Sequence, residues 1–194
     1  FNTKRVNNNH TGVLVSPFLL DATAKGGLGL TTSEVGFVYG TVGVIALTFG
    51  GLVGGWAISR QGLRRWIWFM LLATHLPGLA FVFLAFVQPH SIAAISIAIG
   101  IEQFGYGFGF TAYLLFMIMV SEGAHKTAHY AICTGFMALG MMLPGMASGF
   151  IQERVGYSTF FLWVLACAVP SLVLTAFVFP RIDPAFGRKA PPKT

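Results

Sequence analysis

The sequence predicts an all-α, polytopic membrane helix bundle. Three observations predict it. Only 9% of the 194 residues are charged and 55% are hydrophobic, where a soluble domain carries about a quarter charged residues. The apolar residues fall in runs close to the ~20 residues that a bilayer-spanning helix needs. Those runs are too long for strands and too apolar for surface helices. The 12 Lys and Arg residues are concentrated between the runs rather than on one patch, as topology signals are. With short loops, the length admits at most about six spans.

Taken in order, residues 13–20 are apolar but too short to cross alone, and Lys4-Arg5-Val6-Asn7-Asn8-Asn9-His10 precedes them. They are expected to be a partial first span. Five full spans are expected at residues 35–58, 66–87, 92–120, 130–151 and 158–179. The first of these contains no charge, the second only His75, and the third Glu102 and Gln103. Residues 1–180 thus form one transmembrane domain. The tail 181–194 is basic and Pro-rich, which reads as a disordered cytoplasmic end. The chain opens at Phe1 with no signal-peptide pattern, so the expectation is a piece of something larger.

Charge sets the orientation. If the N-terminus is cytoplasmic and the first segment crosses, that side holds Lys4, Arg5, Arg60, Arg64, Arg65, Lys126, Arg181, Arg188, Lys189 and Lys193. The other side holds only Lys25 and Arg154. The positive-inside rule favours this arrangement strongly. The net charge of +6 is accounted for by these loops, so no nucleic-acid partner is implied.

Glu102 is the first functional candidate. It lies about ten residues into its span, near the bilayer midplane at ~1.5 Å per residue. An ionisable group at that depth is expensive and is by default a functional hypothesis. A carboxyl that takes up and releases a proton there is what a proton-coupled carrier needs. The plainer reading is a hydrogen-bonded Glu that joins two helices. Tyr106, Gly109, Tyr113 and Met117 follow Glu102 at helical spacing and share its face. Phenols beside a gap suit a sugar-like or other polar organic solute, or equally a helix interface. Gln103 and Thr111 lie off this stripe. His75 sits near midplane in its own span, where it either joins Glu102 in a proton relay or packs against a neighbour.

Other features are weighed and set aside. Gly105-Tyr106-Gly107-Phe108-Gly109 lies within a span with no strand before it, so it is not a nucleotide loop. It reads as flexibility or close packing. Gly36/Gly40, Gly50/Gly54, Gly51/Gly55 and Gly145/Gly149 are small-xxx-small pairs. Pro77, Pro144 and Pro170 are expected to bend three spans. Glu122, His125 and His129 have metal-like spacing, but Lys126 lies among them, and no metal or cofactor is implied. Cys133 and Cys167 fall at different depths, so no disulfide is expected. No nucleophile–base constellation supports an enzyme.

The loop Gly55-Trp56-Ala57-Ile58-Ser59-Arg60-Gln61-Gly62-Leu63-Arg64-Arg65 resembles the G-x-x-x-D-R-x-G-R-R loop of the major facilitator superfamily. Ser59 replaces the acidic residue of that pattern. The resemblance implies that Gly55, Arg60, Gly62, Arg64 and Arg65 govern conformational switching. More narrowly, four stretches resemble the second half of AmpG-type permeases. They are Ser33-Glu34-Val35-Gly36 with Thr41 and Gly43, the segment 102–113, Thr127-Ala128-His129-Tyr130-Ala131, and Gly156-Tyr157-Ser158-Thr159-Phe160-Phe161 continuing to Ala168-Val169-Pro170.

The resemblance implies a six-helix half of a twelve-helix carrier, built from two three-helix inverted repeats. It implies a missing N-terminal six-helix half, a small-molecule solute, a proton as coupling ion and a lipid surround. The expected function is inner-membrane import of amino-sugar or muropeptide-like solutes by symport. Glu102, Gln103, Tyr106, Tyr113 and His75 are the candidate pathway. The rival readings are a sensor or scaffold on the same fold, or a carrier of another solute such as an acyl-CoA.

Overall fold

The computed structural model describes residues 15–188. The expectations for Lys4, Arg5, Val13, Lys189, Pro191, Pro192 and Lys193 lie outside the described residues. A six-residue helix, α1 (Val15–Leu20), and a single 3-10 turn, Thr23–Lys25, precede the long helices. Helix α2 (Thr32–Phe37) starts at a capping box. The Glu34 N–H donates to Thr31 Oγ1 at 3.3 Å, and the Thr31 N–H donates to Glu34 Oε2 at 2.8 Å. Two otherwise orphaned donors are thereby satisfied. The helix continues through a π-helical turn, Val38–Gly43, into α3 (Val44–Gln61).

After Gly62 come α4 (Leu63–His75) and α5 (Gly78–Val87), broken at Leu76–Pro77. Pro77 has no N–H to continue the ladder. Helix α6 (Ile92–Val120) is capped by Ser91 and is unbroken. Helices α7 (Lys126–Ala166) and α8 (Ala168–Val178) complete the described fold. Four continuous stretches are long and apolar enough to cross a membrane: Thr32–Gln61, Leu63–Val87, Ile92–Val120 and Lys126–Arg181. The chain is all-helical in its described residues and is a multi-pass membrane protein.

The last two expected spans both fall within Lys126–Arg181. Gly156 separates them, with φ 76° and ψ 167°, a conformation outside the helix and open to glycine. Beyond it the chain runs antiparallel along α5 and α4. Ser158 Oγ donates to the Ala85 carbonyl at 3.4 Å, and Phe161 stacks on Phe81 with centroids 5.5 Å apart. Further along, Ser171 pairs with His75 and Phe179 meets Trp68. The arm before Gly156 is far less embraced. Phe136 (71%) and Met146 (79%) stand open, and no residue from Lys126 to Gly156 is buried.

Helix α6 is wedged between α3 and α4, and its glycines make this possible. A Cβ on Gly107 would meet the Leu47 carbonyl oxygen of α3. A Cβ on Gly50 would meet the Phe104 carbonyl, and one on Gly54 would come within 2.9 Å of the Phe108 carbonyl. On the other side, Gly105 faces the Ala73 carbonyl and Gly109 faces Thr74 Oγ1 and the Met70 carbonyl. Gly105 and Gly109 are one turn apart, so they share the α4 side, and Gly107 serves the α3 side. Of the small-residue pairs, Gly50/Gly54 is an interface. Gly36, Gly40, Gly55 and Gly149 face open space.

Two apolar clusters form, one at each end of the bundle. The first joins Phe18, Leu19, Val38, Leu84, Ile95, Ile99, Phe160 and Phe161. The second joins Ala57, Ile58, Leu63, Met70, Phe108, Ala112 and Ile182. Cys133 and Cys167 are free thiols.

The glycine seams yield a prediction. Gly107→Ala and Gly50→Ala each force the α3–α6 seam apart and cost about 1–3 kcal/mol as overpacking. Gly36→Ala meets no neighbour and leaves stability unchanged or slightly higher. Thermal unfolding of the purified variants measures the contrast. Equal midpoints for Gly107→Ala and Gly36→Ala would remove the seam's importance.

Candidate functional site

Glu102 lies on α6 between the two clusters. Ile95 and Ile99 anchor one end of the helix, and Phe108 and Ala112 the other. Its Oε2 atom is buried, with no hydrogen-bond partner among the described residues. A charged side chain at the centre of a spanning helix costs about 2.5–3.5 kcal/mol on insertion scales. A single net hydrogen bond returns only about 1 kcal/mol. The carboxyl is therefore held at a cost that a purely structural Glu would be expected to offset with partners.

The π-helical turn faces this residue. Gly43 brings it close, since a Cβ there would lie 3.4 Å from Gln103 Cγ. The Tyr39 phenol stands near Gln103 and Glu102, and Tyr106 is the next ring near Glu102. A π turn inserts one residue into the helix and re-aims the side chains around it, often at functional sites. Tyr39 was missed by the sequence reading. Its only signal was its position two residues before Thr41 in a stretch singled out for another reason. From Tyr106 a ladder of rings runs along α6. Tyr106 stacks on Phe110 at 5.4 Å, and Phe110 meets Tyr113 at 6.0 Å.

The expected stripe therefore divides. Glu102, Gln103 and Tyr106 are grouped with Tyr39. Tyr113 and Gly109 open onto a separate cavity of about 510 Å³ between α4, α6 and α8. His75 lines that cavity and pairs through Nε2 with Ser171 Oγ at 2.8 Å. Its partner is a side chain on α8, not a backbone carbonyl and not Glu102. Ser171, also missed, directly follows Pro170. Its hydroxyl also donates to the Ala168 carbonyl at 2.7 Å. Met117 is buried, and Thr111 bonds the Gly107 carbonyl on its own helix.

The loop between α3 and α4 is a corner at Gly62, with φ 88° and ψ 157°. A Cβ there would lie 2.9 Å from the Pro184 carbonyl oxygen. The tail, expected to be disordered, is folded over this corner through Arg188. Ile182 is 1% exposed, and the Phe186 carbonyl accepts from the Leu63 N–H at 3.0 Å. The apolar Ile182 and Phe186 within the basic stretch are what seat it. Arg60 lies over Trp56 at 4.8 Å and Arg64 over Phe179 at 5.1 Å. Gly55 takes no part in the corner contacts.

This arrangement, a glycine-packed membrane bundle with an unpaired carboxyl and ring ladder, accompanies a clear sequence relationship. The chain is 28% identical over 170 residues to transporter AmpG 1 of Rickettsia felis, covering 88% of this chain and 37% of that protein. The chain is thus similar in sequence to AmpG transporters. It is 25% identical over 179 residues to transporter AmpG 1 of Rickettsia prowazekii, covering 92% of this chain and 39% of that protein. It is 27% identical over 148 residues to the anhydromuropeptide permease of Escherichia coli K12, covering 76% of this chain and 30% of that protein. The chain thus spans about two-fifths or less of the curated relatives' length. No family model matches it. The relatives carry the names of transporters and permeases.

The His75–Ser171 pair yields a second prediction. A double-mutant cycle of His75→Ala and Ser171→Ala, read from unfolding free energies, should give a coupling of about 0.5–1.5 kcal/mol. Additive single losses would mean that the pair does not join α8 to α4.

Proposed function

We propose that this chain is the second six-helix half of a major facilitator-type carrier that imports amino-sugar or muropeptide-like solutes across the inner membrane, driven by protons. The relationship to the Escherichia coli anhydromuropeptide permease carries this reading. In it, Lys126–Arg181 crosses twice, reversing at Gly156. At 56 residues and ~1.5 Å per residue it is far longer than the ~30 Å hydrocarbon core. α1 is part of a further crossing; with Thr32–Gln61 and Leu63–Val87 it makes one three-helix inverted repeat, and Ile92–Val120 with the two arms of Lys126–Arg181 makes the other. The remaining half of the carrier supplies the other wall of the path.

Within this half, Glu102 is the proton-coupling group. The buried Oε2 without a partner supports it, because a carboxyl left unpaired at midplane is free to exchange a proton or meet a solute donor. Gln103, Tyr106 and the added Tyr39 line the solute path beside it. Tyr113 and His75 border the second cavity and act on the path indirectly, through the ladder and the α4–α8 joint. Gly62 and the arginines around it form the hinge at which the halves rock.

The test is uptake of labelled anhydro-muropeptide and amino-sugar by cells expressing the full-length parent, with and without a proton uncoupler. The expected result is uptake abolished by the uncoupler. Glu102→Gln should then lower uptake at least tenfold and flatten its pH dependence. Tyr39→Phe should weaken solute affinity with smaller loss of maximal rate. Uptake by Glu102→Gln with an unchanged pH profile would remove the coupling role. Absence of uptake of either solute, with the protein in the membrane, would remove the cargo.

A further inference from the structure

The tail strap and the α3–α4 corner gather five arginines at one end of the bundle. Arg60 ends α3, Arg64 and Arg65 open α4, and Arg181 and Arg188 belong to the strap. We propose that this end is a preformed binding surface for the head groups of anionic phospholipids. It is independent of any transported solute.

Four of the five guanidiniums are held in place. Arg60 rests on Trp56 and Arg64 on Phe179. Arg181 Nη1 donates to the Phe177 carbonyl at 2.7 Å, and Arg188 Nε donates to the Gln61 carbonyl at 3.1 Å. These bonds go to rings and backbone carbonyls, so the positive charge is not cancelled by them. A guanidinium offers five N–H donors, and each anchored one keeps donors in reserve. Arg60, Arg65, Arg181 and Arg188 remain exposed. The acid within the strap, Asp183, accepts the Ala185 N–H through Oδ1 at 2.8 Å and is committed to its own turn.

The strap is what makes the surface. Residues 182–188 cap both helix ends at the corner. The Leu63 N–H, an orphan of the α4 N-terminus, is satisfied by Phe186, and Gln61 of the α3 C-terminus receives Arg188. Gly187, with φ 83°, passes over Ile58, where a Cβ would lie 2.7 Å from Cγ2. Ile182 is seated in the apolar cluster beneath. Topology signalling needs only the number of cations in a loop. It does not need two tail arginines folded back beside three others. Convergent, anchored donors flanked by Trp56, Trp68 and Phe179 fit the charge and depth of a lipid phosphate. Juxtamembrane clusters of this size bind anionic lipid with affinity that falls in salt.

The test uses the purified full-length parent in detergent, titrated with fluorescent phosphatidylglycerol or phosphatidylcholine. Phosphatidylglycerol should bind more tightly, and salt should weaken it. Arg65→Gln, whose side chain holds no part of the strap, should weaken it about fivefold, the effect of one cation near an anionic surface. Gly187→Val keeps every charge but unseats the strap, and should weaken it by about 25-fold, as loss of both tail arginines would. Equal binding of phosphatidylcholine, or unchanged phosphatidylglycerol affinity in both variants, would overturn the proposal. So would full competition by inorganic phosphate, which would assign the surface to a soluble anion. Should Gly187→Val fail to fold, Arg65→Gln decides alone.

Discussion

The close approach of α6 to both α3 and α4 is the constraint on which the rest of this bundle depends. In lipid, apolar surface has no preference between a tail and a neighbouring helix, so association rests on packing and polar contacts. Glycines at 50, 54, 105, 107 and 109 let backbone carbonyls of one helix touch the surface of the next. Three helices become a slab, and its two ends are closed by separate apolar clusters. The span between the clusters is where polar groups are tolerated. Glu102 and Gln103 fall there because the packing residues lie above and below them, not among them.

Around the slab, single polar bonds do the joining. Tyr157 donates to Asp21 Oδ2 at 2.7 Å and ties α1 to the arm after Gly156. Gln88, in a left-handed cap, donates to the Gly27 carbonyl at 3.0 Å. His75 reaches Ser171. Each links segments far apart in sequence, and each involves a residue that would be costly unpaired in an apolar surround. The arm from Lys126 to Val155 has few such ties, and most of its apolar side chains face outward, with Ile151 packed against the first cluster. Such a helix matches lipid or a further helical layer equally well.

Much of this was legible in the sequence. Charge scarcity and run length specify a membrane bundle, and the apolar runs at 35–58, 66–87 and 92–120 overlap Thr32–Gln61, Leu63–Val87 and Ile92–Val120. The two runs after them lie on one continuous helical stretch, with Gly156 between them. Helical spacing sets Gln103 and Thr111 apart from the Glu102 stripe, yet the fold groups Gln103 with Glu102 through Tyr39 and Gly43. That spacing did not show that the stripe serves two different places, because periodicity assigns a face and not the neighbour that meets it. The π turn was illegible for a related reason. Its hydrogen-bond register is set by the packing of Gly43 on Gln103, a contact between distant residues. The strap was hidden by composition: a basic, Pro-rich tail reads as solvated, yet Ile182 and Phe186 within it seat it on the second cluster.

The π turn carries a further geometric implication. A helix that holds one surplus residue stores a phase offset of about 100° between the segments on either side. Were the turn to relax to regular α-helix, everything before it would rotate by that amount relative to α3. The Thr31–Glu34 cap would turn as a unit with Phe37, and the Tyr39 ring would leave the vicinity of Glu102. Whether the Tyr39 phenol stands beside the carboxyl is thus set by a count of residues per turn, which makes the first long helix a rotary register as well as a wall.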